Sequence, residues 1–171
     1  MEDLKKYIRE VPDFPKPGIQ FYDITTLLKH PVAFRKTVDL LTWPYVDLPI
    51  DKVVGMESRG FIFAPILASR LNAGFVPVRK AGKLPGETLE RSYSLEYGEG
   101  RLQMHVGAVE KGEQVLIIDD LIATGGTARA TVELVEAAGG EVVGIGFVIE
   151  LQALGGRDLL RGHEVTSLIV Y

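Results

Sequence analysis

The chain of 171 residues contains no cysteine, which excludes disulfides, thiol catalysis and cysteine-ligated metals. It has no basic excess either: 19 Lys and Arg stand against 23 Asp and Glu, a net charge of -4, so nothing in the composition points to a nucleic-acid partner. No apolar run reaches the roughly 20 residues needed to span a bilayer. The charged start MEDLKKYIRE lacks the apolar centre of a signal peptide, which makes the cytoplasm the expected location and excludes the membrane as a partner. A single asparagine, Asn72, and three methionines are compatible with heat adaptation. The three histidines, His30, His105 and His163, have no partner pattern and are read as structural or surface residues. What is present is an ordinary globular balance, 46% hydrophobic and 25% charged. A chain of this length is expected to form one domain, residues 1–171, burying roughly two thirds of the surface of its unfolded form.

Leu4, Ile8 and Val11 at helical spacing predict a short amphipathic helix that stops before Pro12. The following PDFPKPGIQFYDITTLL reads as a loop, yet it carries Phe14, Ile19, Phe21 and Tyr22, apolar weight that suggests packing or ligand contact. Pro31 suits the first position of a second helix, with Phe34, Val38 and Leu41 on one face before Trp43-Pro44 ends it. From Lys52 onward KVVGM reads as a strand, SRGFIFAPILASRLN as a helix kinked or restarted at Pro65, and GFVPVRK as a strand. VLIIDD, TARATVELVEAAGG and VVGIGFVI repeat the unit. Apolar strands alternating with amphipathic helices predict an α/β fold, a mostly parallel central sheet flanked by helices. Residues 84–100, rich in Gly, Glu, Ser and Tyr, read as a long loop of the kind that closes over sites, with a hairpin as the alternative.

The stretch VLIIDDLIATGGT carries the chemistry. Ligands of open α/β sheets bind at the carboxyl ends of strands, where Asp119 and Asp120 fall. Beyond them Ala123, Thr124, Gly125, Gly126 and Thr127 lead into a helix whose first-turn N–H groups and dipole favour an anion. The glycines allow close approach of a phosphate and the threonine hydroxyls add donors. No G-x-x-x-x-G-K-[ST] occurs and no G-x-G-x-x-G opens this helix, which disfavours triphosphate and dinucleotide enzymes. Two carboxylates beside a phosphate loop suit the hydroxyls of a ribose, although two acids after a strand also suit a solvated turn.

This ordered pattern resembles the phosphoribosyltransferase family. PGIQFYDITTLL, VVGMESRGFIFAP, VPVRKAGKLPGETL, SYSLEYG and ELQALGGR extend the resemblance, in order, over nearly the whole chain, toward the members that take adenine. The resemblance implies a type I phosphoribosyltransferase fold with an N-terminal hood over residues 1–30 and a flexible lid over 84–100. It implies transfer of the phosphoribosyl group of 5-phosphoribosyl 1-pyrophosphate to adenine, giving AMP and pyrophosphate, with Mg2+ as cofactor and a homodimer as the working unit. No metal ligand is expected from the protein directly. By resemblance Arg59 contacts the pyrophosphate, as do Arg79, Lys80 and Lys83, some of them reaching from a neighbouring subunit. Arg59 also opens a helix, where a cation is locally unfavourable, so an anion beside it is expected. Glu96 matches the loop glutamate that manages the base's proton, making Glu96 and Arg59 the catalytic candidates. Phe21 and Leu151 match the residues flanking adenine; Gln20 and Tyr22 stand where relatives carry an aliphatic residue and an arginine, which questions any side-chain role there. The same fold serves 6-oxopurines, which call for a donor, and ELQALGGR offers no lysine for that. A nucleic-acid-binding regulator needs a basic surface or a further domain that the acidic chain is not expected to supply.

Overall fold

The computed structural model describes residues 2–94 and 99–171. Helix α1 (Glu2–Lys5) is shorter than the spacing of Leu4, Ile8 and Val11 predicts, because Arg9–Val11 form strand β1. β1 pairs antiparallel with β2 (Phe21–Asp23), inside the segment expected as a loop, and Arg9 reaches across to the Asp23 carboxylate. Local helical periodicity thus yields to a strand partner twelve residues on, while Leu4 and Ile8 are buried in the core. Asp23 also accepts from the Thr25 N–H at 2.8 Å and so fastens the short helix α2 (Thr25–Leu28). Helix α3 (Pro31–Thr42) has proline at its start, as predicted, with His30 Nδ1 accepting the Ala33 N–H as its cap.

The main sheet contains β3 (Lys52–Met56), β4 (Gly74–Lys80), β5 (Thr88–Ser94), β6 (Glu99–His105), β7 (Gln114–Ile122), β8 (Glu141–Glu150) and β9 (Val165–Val170). Their order is β5-β6-β4-β3-β7-β8-β9, parallel from β4 to β9 and antiparallel at the β5-β6 end. The 84–100 segment is therefore mostly strand among its described residues: TLERSYS lies along EGRLQMH, and Leu89, Tyr93, Leu102 and Met104 pack on the sheet's core. Helix α4 (Gly60–Arg70) runs through Pro65 as one helix, its Phe63, Ala64, Leu67 and Ala68 fully covered. Burial of that face outweighs the backbone hydrogen bond that the proline forgoes.

Strand residues alternate between two cores, as buried parallel strands must. Val53, Leu116 and Ile118 join α3 and α4 on one face; Val54, Val115 and Ile117 join α5 (Gly126–Ala138) on the other. From β3 the chain proceeds outward to β4, and from β7 it proceeds in the opposite direction to β8 and β9. The order thus reverses between β3 and β7, and at such a switch point the loops beyond the strand ends diverge and leave a crevice.

Candidate active site

Strand β7 outruns β3. The two pair as far as Gly55 and Ile118; β3 ends at Met56 and is followed by Glu57, Ser58 and Arg59, while β7 continues beside β8 to Ile122. Asp119 and Asp120 occupy that overhang, inside the strand rather than in a turn after it. The Asp119 Oδ1 accepts the Asp120 N–H at 2.9 Å. Asp120, with its side chain 6% exposed, has Oδ2 2.9 Å from the Arg59 Nε. The N–H does not aim at that oxygen, so the ion pair leaves Oδ2 buried without a hydrogen-bond donor. Burial pushes Asp119 well above the usual carboxylate range, and the Asp120 charge beside it adds to the rise. Burial also raises Asp120, against the pull of the Arg59 guanidinium.

The anion expected beside Arg59 is thus Asp120. The guanidinium carbon lies 5.3 Å from the centre of the Phe21 ring, and Nη1 approaches the Tyr22 carbonyl at 3.5 Å. One cation therefore links the acid pair to β2. Phe21 and Tyr22 are successive strand residues and point to opposite sides. Phe21 meets Arg59 and, edge-on, Phe14, whereas the Tyr22 ring lies on Tyr171 at 4.2 Å. Gln20 is exposed just before β2. Leu151 follows β8, half-buried against the core, and donates its N–H to the Ile122 carbonyl at 2.9 Å.

A cleft of about 310 Å³ is bounded by Glu57, Ser58, Arg59, Lys80, Asp119, Asp120 and Thr127. Of the three cations after β4, Lys80 lines it. Arg79 donates to the Glu57 carboxylate at 2.9 Å and to the Lys83 carbonyl, and the Lys83 ammonium stands 3.8 Å from the same carboxylate. Burial pushes Glu57 up, but the Arg79 and Lys80 donors and the two positive charges outweigh it and hold the group below its ordinary range. The spacing of RKAGK gives no sign of this division; only the fold brings residue 57 next to the end of β4.

Adjoining it, a cavity of about 200 Å³ is lined by Asp119, residues 121–128 and Phe147. Ala123, Thr124, Gly125, Gly126 and Thr127 wrap it, and Thr127 borders both spaces. Gly125 caps α5 at φ 83°, where a side chain is disfavoured, and no side chain caps the helix, so its first-turn N–H groups face the cavity's loop free of side-chain acceptors. A Cβ on Gly125 would also lie 2.3 Å from the Gly156 carbonyl. A Cβ on Gly126 would stand at ordinary contact distance, 3.4 Å from the Ser94 carbonyl and 3.5 Å from the Tyr93 ring, which sets β5 beside the loop. Glu96 lies outside the described residues.

Three contributors escaped the reading of the sequence. Gly60 has its Cα against β7, where a Cβ would stand 2.9 Å from the Asp119 Oδ1 and 3.0 Å from the Ile118 carbonyl, so only glycine lets α4 start so close to the acid pair. Gly156 packs on the Ala123 carbonyl and the Gly125 nitrogen in the same way. Glu57 is the third. The glycine following Arg59 and the pair in ALGGR were visible signals, but a close approach between distant segments has no local signature.

The phosphoribosyl transferase domain model matches residues 23–166. The chain is 60% identical, over its full length and 99% of the relative's, to the adenine phosphoribosyltransferase of Solibacter usitatus. It superposes with a TM-score of 0.95 on the crystal structure of adenine phosphoribosyltransferase from Rhodothermus marinus, at 56% identity, over 99% of this chain and 97% of that one. It also superposes on the Saccharomyces cerevisiae enzyme complexed with an imino-altritol bisphosphate and adenine, with a TM-score of 0.92 at 43% identity, over 98% of this chain and 97% of that one.

Proposed function

The chain belongs to the phosphoribosyltransferase family and transfers a 5-phosphoribosyl group from 5-phosphoribosyl 1-pyrophosphate to adenine; we propose that it does so in the crevice between β3 and β7. The observation that carries this placement is the buried Asp120 Oδ2 without a hydrogen-bond donor, at the edge of a cleft that continues into the glycine-lined cavity at the start of α5. A ribose 5-phosphate fits those two features together. The phosphate rests on Ala123 to Thr127, and the vicinal hydroxyls donate to Asp119 and Asp120.

Adenine N9 forms its bond to C1 as the C1–O bond breaks and the electron pair leaves with pyrophosphate; N9 gives up its proton. Glu96 is the candidate to receive it, on the strength of the SYSLEYG match. Lys80 and Arg59 line the cleft on the side of Glu57 and supply the positive charge for the leaving group. Arg79 and Lys83 are proposed to contribute after exchange with Glu57 or from a second subunit. Phe21 and Leu151 flank the base, with Gln20 and Tyr22 contributing backbone beside it.

Among the described residues no three His, Cys, Asp or Glu side chains form a metal cage. The cofactor is proposed to be a magnesium ion that would be held by the substrate's phosphates, with no direct ligand assigned to the protein. When bound, that ion neutralises charge on the pyrophosphate. A homodimer acting in the cytoplasm completes the proposal; among the described residues no helix is long and apolar enough to cross a membrane.

The test compares adenine, guanine, hypoxanthine and xanthine with the pyrophosphate donor and magnesium. AMP forms from adenine, and Asp120→Asn raises the KM for the donor. Turnover of another purine in preference to adenine, or an Asp120→Asn enzyme with unchanged kinetics, overturns the assignment or the placement respectively.

A further inference from the structure

One ion pair near the site has no part in the reaction as described. Glu150 closes β8 and is buried; Arg157 meets it with two prongs, Nε to Oε1 at 3.0 Å and Nη2 to Oε2 at 2.5 Å. The same guanidinium donates to the Val165 carbonyl at 2.7 Å and to the Ser167 hydroxyl at 3.3 Å. Its position is therefore set by β8 and β9 at once.

Between the two partners runs the turn of residues 151–156, which touches the phosphate loop at both its ends. Leu151 donates to the carbonyl of Ile122, the residue before the loop, and Gly156 packs directly on Ala123 and Gly125. Arg157 follows Gly156 immediately, so the guanidinium holds the end of the turn down while Glu150 holds its beginning. We propose that Arg157, held by Glu150, is a positioning residue that keeps the base-flanking turn at Leu151 and the phosphate loop in a common register. Its loss weakens the base and the phosphate together although it touches neither. The inference rests on the assignment of adenine and ribose 5-phosphate to these two segments. The planar fork matters here, because two parallel hydrogen bonds fix direction as well as distance and an ammonium supplies a point charge alone.

The test uses Arg157→Lys, which keeps the charge against the buried carboxylate, alongside the neutral pair Glu150→Gln/Arg157→Met and the exposed control Arg161→Lys. Three quantities are read: the Kd for ribose 5-phosphate by calorimetry, the KM for adenine, and kcat. Arg157→Lys raises the first two by about tenfold each, the loss expected from one charge-assisted hydrogen bond. The neutral pair does at least as much, and Arg161→Lys changes nothing. A pair that merely stabilises the fold lowers the melting temperature and the active fraction, hence kcat, with both constants within twofold of wild type; that result overturns the proposal. So does a change in one constant without the other. If the wild-type protein makes no AMP the reaction assignment fails, while the ribose 5-phosphate Kd still decides whether Arg157 positions the loop.

Discussion

Gly156→Ala adds a single methyl group on the far side of the loop at residues 123–127 that is proposed to hold the phosphate. The new Cβ would lie 2.2 Å from the Ala123 carbonyl oxygen and 2.8 Å from the Gly125 nitrogen. Both are backbone atoms, so no side chain can swing aside. Ordinary carbon–oxygen contacts begin near 3.3 Å, so the loop must retreat by about 1 Å. A shift of that size in a substrate-binding group costs about 100-fold in kcat/KM, equivalent to about 2.7 kcal/mol. Overpacking adds about 1–3 kcal/mol of lost stability, a fall of several degrees in melting temperature. Gly155→Ala is the comparison. Gly155 has φ 65° and its Cβ would meet nothing nearer than the Asp158 carboxylate at 3.6 Å. It costs about 1 kcal/mol in backbone conformation without moving the loop. Steady-state kinetics with adenine and the pyrophosphate donor, with melting curves in parallel, separate the two. A Gly156→Ala enzyme with kcat/KM within threefold of wild type, or equal losses in the two variants, refutes the close-approach account.

Two further outcomes concern charge. Thr25's N–H, assisted by its hydroxyl and by Arg9, holds the Asp23 carboxyl down at about 2 against the opposing effect of burial. A depressed folded-state value means the stabilisation, about 2 kcal/mol, is complete above the unfolded value near 4 and is lost as the pH falls through it toward 2. Asp23→Asn is thus less stable than wild type at pH 7 by that order, and the two melting temperatures converge on acidification; a constant gap from pH 7 to pH 2.5 contradicts it. Asp119 has the opposite sign. Its raised value means that ionisation opposes folding above about pH 4 and costs nothing below, so Asp119→Asn melts higher than wild type at pH 7, loses that advantage in acid, and still binds the donor poorly. Equal melting at neutral pH removes the claim that this acid is kept at the expense of stability.

Much of the candidate site was legible in one line of sequence. VLIIDDLIATGGT combines a buried strand, two acids and a glycine-rich helix start, and each of those features is local. The helix at Pro31 and the closing glycine at 139 were legible for the same reason, since caps act within a turn. The N-terminal segment was not, because β1 exists through its pairing with β2 and the Arg9–Asp23 contact. The 84–100 segment was read as a loop because polar alternation in TLERSYS is weak evidence for a strand until EGRLQMH lies beside it.

By itself the sequence determined the α/β class, the glycine-rich helix start proposed to hold the phosphate, and the adjacent carboxylate pair, since these follow from periodicity and from chemistry carried by adjacent residues. Tertiary structure alone decided that Asp120 compensates Arg59, that Glu57 takes Arg79 and Lys83 while Lys80 lines the cleft, and that Gly60 and Gly156 permit backbone contacts at the acids and the loop. The reason is physical. A charge finds its partner, and a glycine its necessity, by distance in space, and the chain brings those groups together only once the sheet reverses its strand order between β3 and β7.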